Sequence, residues 1–164
     1  MSPTQAFAQI AEFGKKLMAN DSIEDSLELI SAEARELVHA ERCSIFMVDA
    51  ETNMLWSKHS DGMGRIAIGL DSGIVGDTYK RQESQIVNHP YQDARFMSKI
   101  DAKSGFVTRN MICVPIFDSK RDVIGIIQIL NRREDDFSIE DESNLAFFAN
   151  YVSGTLELAL MQET

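Results

Sequence analysis

The chain carries few residues whose type and spacing suit covalent or metal chemistry. Its histidines, His39, His59 and His89, have no metal-ligand spacing with one another or with a cysteine. Both cysteines, Cys43 and Cys113, lie inside apolar runs, where a reactive thiolate is disfavoured. The patterns Gly-x-Ser-x-Gly, Gly-x-x-x-x-Gly-Lys and Gly-x-Gly-x-x-Gly are absent. The sequence therefore predicts neither an enzyme nor a metal site, and it predicts buried, unreactive thiols.

Two features suit the binding of a small molecule better than catalysis. Gly73-Ile-Val-Gly76 opens a predicted short helix, whose first N–H groups and positive dipole end can hold an anion. Gln128 interrupts an apolar strand, and a buried amide costs about 1–3 kcal/mol unless it is partnered. A satisfied core amide and a ligand contact are both consistent with Gln128.

A polar stretch, Asn-Arg-Arg-Glu-Asp-Asp-Phe-Ser-Ile-Glu-Asp-Glu at 131–142, joins the last apolar run to the last predicted helix. It holds two arginines and six acidic residues around a single Phe. A solvated loop is one interpretation of this composition. The other is a polar clasp that joins two core elements.

Composition restricts the class of partner. The 164 residues are 44% hydrophobic and carry a net charge of −10, so we expect one folded domain. The negative charge argues against a nucleic-acid backbone or an anionic membrane as partner. No apolar stretch approaches the roughly 20 residues that cross a bilayer, and the N-terminus lacks the order of a signal peptide. We expect a cytoplasmic location.

Hydrophobic spacing predicts two helices in the first 40 residues. The stripe of the first is assigned to Phe7, Ile10, Leu17 and Met18, interrupted by Gly14. For the second helix we predict a capping pair of Asp21 and Glu24 and a buried face. That face comprises Ile23, Leu27, Ile30, Ala34, Leu37 and Val38.

The rest of the chain alternates short strands with turns before a last long helix. Strands are predicted over 42–49, 54–58, 65–69, 85–87, 110–117 and 123–130, with a short helix over 74–81. Residues 88–105 are predicted to be a long polar segment punctuated by Pro90, Tyr91, Phe96 and Met97. Ser138 is predicted to cap the last helix, whose apolar face comprises Leu145, Phe148, Val152, Leu156 and Ala159. The fold class is therefore α+β: a single antiparallel sheet of about six strands, with helices at both termini.

Three strings in this order resemble the GAF domain, a small-molecule sensor module. They are Glu-Arg-Cys-Ser-Ile-Phe-Met-Val-Asp at 41–49, Ser-Gly-Phe-Val-Thr-Arg-Asn-Met-Ile-Cys-Val-Pro-Ile at 104–116, and the polar stretch 131–142. The likeness covers about residues 20–162 and is nearest to the regulatory GAF domains of cyclic-nucleotide phosphodiesterases and certain bacterial adenylyl cyclases. It implies that terminal helices pack on one face of the sheet and that a lid and pocket lie on the other. It also divides the chain into an N-terminal helix or linker helix, 1–20, and a GAF domain, 21–164.

The polar stretch is similar to the family's signature of Asn-Lys, Phe and Asp-Glu. The matching residues are Asn131, Arg132, Phe137, Asp141 and Glu142, with Arg132 where the family has Lys. In the family this basic residue pairs with the Asp and ties the last strand to the last helix. The resemblance thus favours the clasp over the solvated loop.

The resemblance also implies a cyclic-nucleotide pocket. Ser44 and Asp61 are similar in place to groups that contact the base, and the backbone of Ile74 and Val75 to groups that face the phosphate. The remaining candidates are Asp101, Ser104 and Thr108 on the lid side, Gln128 on the last strand, and Met97, which replaces a lid Tyr of the phosphodiesterase domains. Ser60 likewise stands where those domains have a Phe that packs on the base.

Two functions follow as expectations. The first is a sensor that binds cyclic AMP or cyclic GMP, without a covalent cofactor, and relays to an effector domain after residue 164. The second is a GAF module that does not bind a ligand and serves as a dimerisation scaffold. A homodimer through the terminal helices is expected under both. Bilin, haem and methionine-sulfoxide chemistry would need cysteines or histidines that this chain does not place suitably. The sequence leaves open which ligand is native, which effector is attached and whether residue 1 is the natural start.

Overall fold

A computed structural model describes residues 1–19, 22–61 and 66–162. The helices are α1 (Pro3–Met18), α2 (Ile23–Leu37), α3 (Gly73–Arg81), α4 (Ser98–Ser104) and α5 (Ile139–Gln162), with a 3₁₀ turn at Pro90–Gln92. The strands are β1 (Ala40–Asp49), β2 (Met54–Ser60), β3 (Ala67–Gly69), β4 (Gln85–Val87), β5 (Met111–Phe117) and β6 (Val123–Arg132). No helix among these residues is long and apolar enough to span a bilayer.

The six strands form one sheet in the order β3-β2-β1-β6-β5-β4. Every neighbouring pair is antiparallel, which confirms the predicted α+β class. The first and last long strands, β1 and β6, meet at the centre, where Ser44 pairs with Gln128 and Cys43 with Ile129. The sheet therefore brings the two ends of the chain's strand-forming region together.

Alternation along the central strands gives the sheet two different faces. Cys43, Ile45 and Met47 point into a core that they share with helices α1, α2 and α5. Phe46 points to the opposite side, into a smaller core with residues of α3 such as Ile74. Gly125 is required at the centre because an added Cβ would lie 2.6 Å from the Phe46 carbonyl oxygen.

The predicted face of α1 is partly wrong. Ile10 and Leu17 are buried, but Phe7 is 61% and Met18 88% exposed. The buried face follows the i, i+3, i+4 spacing and comprises Ala6, Ile10, Phe13, Gly14 and Leu17. Gly14 does not interrupt the helix. An added Cβ there would lie 1.9 Å from Tyr151 Oη of α5, so the glycine lets the two terminal helices approach.

Two other local predictions need correction. Asp21 lies outside the described residues, and α2 is capped instead by Ser22, whose Oγ accepts from the Asp25 N–H at 3.3 Å. Residues 88–105, for which the sequence predicted only a long polar segment, contain the 3₁₀ turn and α4. Helix α4 escapes sequence analysis because it has only seven residues and its N-cap position, Met97, makes no side-chain capping bond.

The polar stretch closes the fold between β6 and α5. Arg132 Nε lies 3.2 Å from Asp141 Oδ2, and Phe137 is buried in the helical core. Ser138 caps α5 as predicted: its Oγ accepts from the Asp141 N–H, and its own N–H donates to the Asp141 carboxylate. Glu142 continues the first turn, its N–H donating to the Ser138 carbonyl at 3.1 Å. The base of α5 is thus fixed to the last strand.

Asn131 holds the other side of this junction. Its backbone has a positive φ of 61°, and its side chain is almost fully buried. Its Oδ1 accepts from the Arg109 N–H at 2.6 Å, and its Nδ2 donates to the Val107 carbonyl at 2.8 Å. One amide therefore satisfies the backbone of the segment that enters β5.

We expect Asn131→Ala to lower the free energy of unfolding by about 2–4 kcal/mol, because the part-buried Arg109 N–H and the buried Asn110 N–H lose their acceptor and Ala is placed at positive φ. Urea unfolding followed by circular dichroism measures this loss. Asn53→Ala is the matched control, since Asn53 also has a positive φ of 56° but is exposed, and should cost only about 1 kcal/mol. Equal losses in the two variants would show that the Asn131 hydrogen bonds contribute little.

Candidate functional site

A cavity lies on the smaller-core side of the sheet, between β1, β6, α3 and the segment 88–105, here called the lid. The open space between its walls, mouth included, is about 640 Å³, but the part in which the centre of a water molecule can move is only about 60 Å³. The space between the walls is therefore narrow and has room for a few waters. The walls are formed by Arg42, Ser44, Phe46, Ser60, Asp61, Ile66, Ile68, Gly73, Ile74, Val75, Phe96, Met97, Ile100, Asp101, Phe106, Thr108, Met111, Gln128 and Leu130.

The floor combines apolar side chains with a few polar ones. Ser44 and Gln128 are register partners on the central strands, and both line the cavity. Ser44 Oγ and Ser60 Oγ lie 2.8 Å apart, within hydrogen-bond distance. Within the described residues the Gln128 amide makes no hydrogen bond through its side chain. Gln128 therefore presents both a donor and an acceptor to whatever occupies the cavity.

Helix α3 points its N-terminus at the same space. The first helical bond runs from the Gly76 N–H to the Ser72 carbonyl. The N–H groups of residues 73–75 therefore have no acceptor within the helix. Ser72 makes no side-chain capping bond to them. Ile74 and Val75, the predicted phosphate-facing residues, lie here and are buried. The arrangement is an anion-compatible helix end.

Met97 covers this helix end. Gly73 has a φ of +67°, and a Cβ built on it would lie 2.9 Å from Met97 Sδ and 3.7 Å from the Arg95 carbonyl oxygen. Met97 itself is 39% exposed. The lid therefore lays a thioether over the bare backbone of Gly73, where the resemblance would put a phosphate.

Asp101 and Thr108 form the lid side of the cavity. The Thr108 N–H and Oγ1 donate to the Asp101 carboxylate at 2.8 and 2.9 Å, and Tyr91 Oη donates to it at 2.5 Å. The bond to Asp101 raises the pKa of Tyr91. Ser104, the remaining lid candidate, is the last residue of α4, and its side chain lies outside the described part of the chain.

The Asp61 carboxylate has partners outside the cavity. Its Oδ2 accepts from the Cys43 N–H at 3.1 Å and from Ser31 Oγ at 3.4 Å. The same oxygen lies 3.1 Å from Arg35 Nε, and Oδ1 lies 3.0 Å from His59 Nε2. Asp61 thus ties α2 to β1, and its predicted contact with a base stays a prediction.

Arg42 and Phe106 line the cavity although sequence reasoning did not select them. The Arg42 guanidinium carbon lies 3.8 Å from the Phe106 ring centroid, a cation–π contact. Arg42 has the same parity as Ser44 on β1, so strand periodicity could have indicated its face. Phe106 follows the lid in an irregular segment, and no periodicity marks it. Phe106 therefore gives the pocket an aromatic wall, although Ser60 and Met97 stand where the phosphodiesterase domains have aromatic residues.

The lid is held to the body of the domain by an ionic cluster around Arg95. Its Nη1 donates to Asp77 Oδ2 of α3 and to Gln85 Oε1 of β4, both at 2.6 Å. Its Nε and Nη2 donate to the Asp93 carboxylate at 2.9 and 2.6 Å. These bonds lower the pKa of Asp93 from 3.8 to about 2, and bonds from Arg95 and Gln85 outweigh desolvation in lowering the pKa of Asp77.

The described residues hold no cluster of His, Cys, Asp or Glu that suits a metal ion. Cys43 and Cys113 are free and fully buried, and burial raises the pKa of each thiol to about 12. They are therefore thiols at neutral pH, as the apolar surroundings predicted.

Comparison with known proteins gives consistent results. The sequence profile described as GAF domain matches residues 22–156. A probable 3′,5′-cyclic phosphodiesterase of Caenorhabditis elegans, pde-5, is 28% identical over 144 residues, covering 79% of this chain and 20% of the relative. The dual 3′,5′-cyclic-AMP and -GMP phosphodiesterase 11A of Takifugu rubripes is 32% identical over 129 residues, covering 68% of this chain and 14% of the relative. The chain thus spans a fifth or less of the length of these relatives.

Solved structures share the fold. The GAF domain of an Acinetobacter phosphoenolpyruvate-protein phosphotransferase superposes with a TM-score of 0.83, at 21% identity and with 99% of each chain covered. A free methionine-R-sulfoxide reductase from Neisseria meningitidis, solved with its substrate, gives 0.78 at 15% identity, covering 93% of this chain and 89% of the reductase. At these identities the likeness concerns the fold alone.

The Asp93 pKa predicts how stability depends on acid. Because the folded-state pKa lies below the ordinary value, the contribution of Asp93 is complete above about pH 4 and is lost as the pH falls towards 2. The difference in unfolding free energy between the wild type and Asp93→Asn should therefore shrink from pH 5 to pH 2.5, as measured by urea unfolding at about five pH values. Asp136→Asn is the control, since Asp136 is exposed. A difference that stays constant with pH would contradict the assignment.

Proposed function

This chain belongs to the GAF domain family, and on that premise we propose that it is a regulatory module that binds a cyclic nucleotide, cyclic AMP or cyclic GMP. In this proposal the ligand lies between the sheet and the lid, and binding changes the output of an attached effector domain. The module itself has no catalytic role, and no covalent cofactor takes part. A cytoplasmic location stays a prediction.

The observation that carries the proposal is the pairing of two complementary polar ends across one cavity. The uncapped N-terminus of α3 offers N–H donors and a positive dipole end to a phosphate. Gln128 offers an amide that can donate and accept along one edge of a purine. Apolar walls, with Phe106 among them, suit the ring. Adenine and guanine both present a donor next to an acceptor, so Gln128 alone does not choose between them.

The ligand-binding residues of the proposal are the predicted ones with the additions made by the structure. Ser44, Gln128 and the backbone of Ile74 and Val75 face the cavity. Asp101 and Thr108 shape the lid side, and Arg42 and Phe106 extend the list. Asp61 supports the floor through α2, Ser104 stays a candidate, and Met97 is the side chain that a phosphate would displace.

The relatives supply independent support for this ligand class. Pde-5 is named as a probable 3′,5′-cyclic phosphodiesterase, and the Takifugu rubripes relative as a dual 3′,5′-cyclic-AMP and -GMP phosphodiesterase. Because the chain matches only a fifth or less of two of these relatives, we propose that a separate effector domain accompanies it. The effector's activity does not follow from this chain.

The route from ligand to effector runs through the sheet. Ser44 and Gln128 face the cavity, while their neighbours Cys43 and Ile129 face the helical core. A shift of β1 against β6 therefore moves both faces together. We propose that the terminal helices α1 and α5 carry this shift and form a homodimer. Their exposed apolar residues include Phe7, Phe147, Tyr151 and Leu158.

A second function, a scaffold that dimerises without binding a ligand, is favoured by one observation. The water-accessible space of about 60 Å³ is well below the roughly 300–1,000 Å³ of small-molecule pockets, and Met97 covers the anion end. The two functions therefore differ in whether the lid opens.

We expect the purified domain to bind cyclic AMP or cyclic GMP with micromolar or tighter affinity in isothermal titration. Gln128→Ala should weaken binding roughly 5- to 150-fold, because a bidentate amide contact to a base is worth about 1–3 kcal/mol. Gln92→Ala is the matched control, since Gln92 is exposed and does not line the cavity. Absence of heat with both nucleotides, in a folded protein free of copurified ligand, would support the scaffold instead.

The dimer makes a separate prediction. Replacing Phe147 and Leu158 by Glu should convert a dimer into a monomer in sedimentation velocity, because charges would enter an apolar interface. Val107→Glu controls for added charge, since Val107 is 62% exposed and lies away from the terminal helices. A wild-type chain that sediments as a monomer at about 100 μM would contradict the dimer.

A further inference from the structure

The Arg95 cluster does more than hold the lid, because its bonds divide into two kinds. The contacts to Asp77 and Gln85 cross from the lid to the body of the domain, over 18 and 10 residues of sequence. The contacts to Asp93 stay within the lid, two residues away. Of these Arg95 contacts, only the first kind joins the lid to the body of the domain.

Each partner of the crossing contact has a second partner of its own. Asp77 also pairs with Arg81 of the same helix, at 2.7 Å, and Arg95 keeps the Asp93 carboxylate. Gln85 keeps a bond from its Nε2 to Thr78 Oγ1 at 3.1 Å. Separation of Arg95 from Asp77 and Gln85 would therefore leave no charge without a counter-ion. A contact of this kind can break and re-form at low cost, unlike an ion pair whose partners lose all compensation.

The position of Arg95 couples this contact to the cavity. Its carbonyl oxygen lies beside Gly73, and two residues later Met97 covers the start of α3. The neighbouring Phe96 packs against Tyr91, with ring centroids 4.9 Å apart. When the guanidinium is bound to Asp77, the chain that follows it is held down over the anion end of the pocket.

The opposite end of the lid is tied differently. Asp101 and Thr108 are only seven residues apart and join α4 to the segment that enters β5. Their bonds can persist while the other end of the lid lifts. The lid can therefore rotate about the Asp101–Thr108 bonds. This rotation requires the Arg95–Asp77 contact to break.

We propose that Arg95 is a positioning residue: its contact with Asp77 and Gln85 is a reversible latch that holds Met97 over the N-terminus of α3, and its release admits the ligand. The latch rests on the proposed function only in that the pocket accepts a ligand from solution. Because the water-accessible space is only about 60 Å³ and Met97 lies over Gly73, entry of a nucleotide requires such an opening step. Arg95 need not touch the bound molecule.

Hydrogen–deuterium exchange of the ligand-free domain tests the latch directly. Arg95→Gln should speed exchange of the amides of residues 94–100 about tenfold, the scale expected when charge-assisted bonds that hold a segment are lost. Arg81→Gln is the matched control, because it removes the same charge and the same Asp77 partner without touching the lid. Its lid exchange should not rise above that of the wild type, because without Arg81 the Asp77 carboxylate depends on Arg95 for a counter-ion.

A second measurement links the latch to the pocket. In stopped-flow mixing with a fluorescent cyclic AMP or cyclic GMP analogue, Arg95→Gln should raise the association rate constant about tenfold, because a larger fraction of the protein is open. Arg81→Gln should not raise that constant, because it leaves the Arg95 contact in place and removes the second counter-ion of Asp77. If Arg95→Gln does not fold, Asp77→Asn replaces it, with the same two expectations.

The two measurements separate the two proposals. Lid exchange that is as slow in Arg95→Gln as in the wild type overturns the latch, whether or not a nucleotide binds. Lid exchange that rises in a protein that binds neither nucleotide supports the latch and contradicts the proposed ligand. Faster exchange with an unchanged association rate would show that the latch does not control entry, which also overturns the proposal.

Discussion

The antiparallel pairing of β1 with β6 is the interaction on which the rest of the structure depends. These strands lie at the centre of the sheet, and alternate residues along them serve two different cores. A slip of one residue would exchange the faces, placing Ser44 and Gln128 among the helices and Cys43 and Ile129 in the cavity. The pocket and the helical layer are therefore fixed by a single register.

That register explains why a polar pocket costs the fold little. The helical core holds the larger share of the buried apolar side chains, including Phe148 and Ile30, and supplies the main hydrophobic stabilisation. The opposite face has only a small apolar cluster around Phe46 and leaves its remaining area to the cavity. Stability and ligand contact are thus assigned to opposite sides of the same strands.

Sequence reasoning succeeded where a residue's environment is set by its neighbours along the chain. Apolar runs bounded by turn residues predicted the strands of the sheet, and Ser138 correctly predicted the start of α5. It failed where a distant contact decides. The close approach of Gly14 to Tyr151 is such a contact, whereas the burial of Phe13 follows helical spacing that the predicted stripe overlooked. The direction of the Asp61 carboxylate depends on Arg35, 26 residues earlier, and α4 is stabilised by contacts such as Asp101 with Thr108 rather than by its own seven residues.

The junction between β6 and α5 has a mechanical consequence. The Ser138–Asp141 capping bonds and the Arg132–Asp141 pair join the base of α5 to the strand that floors the cavity. The helix has 24 residues, which makes it about 36 Å long. Its apolar face packs in the helical core from Leu145 to Leu156, so the helix follows the sheet as one rigid element. The junction therefore couples the floor of the cavity to α5 along most of its length.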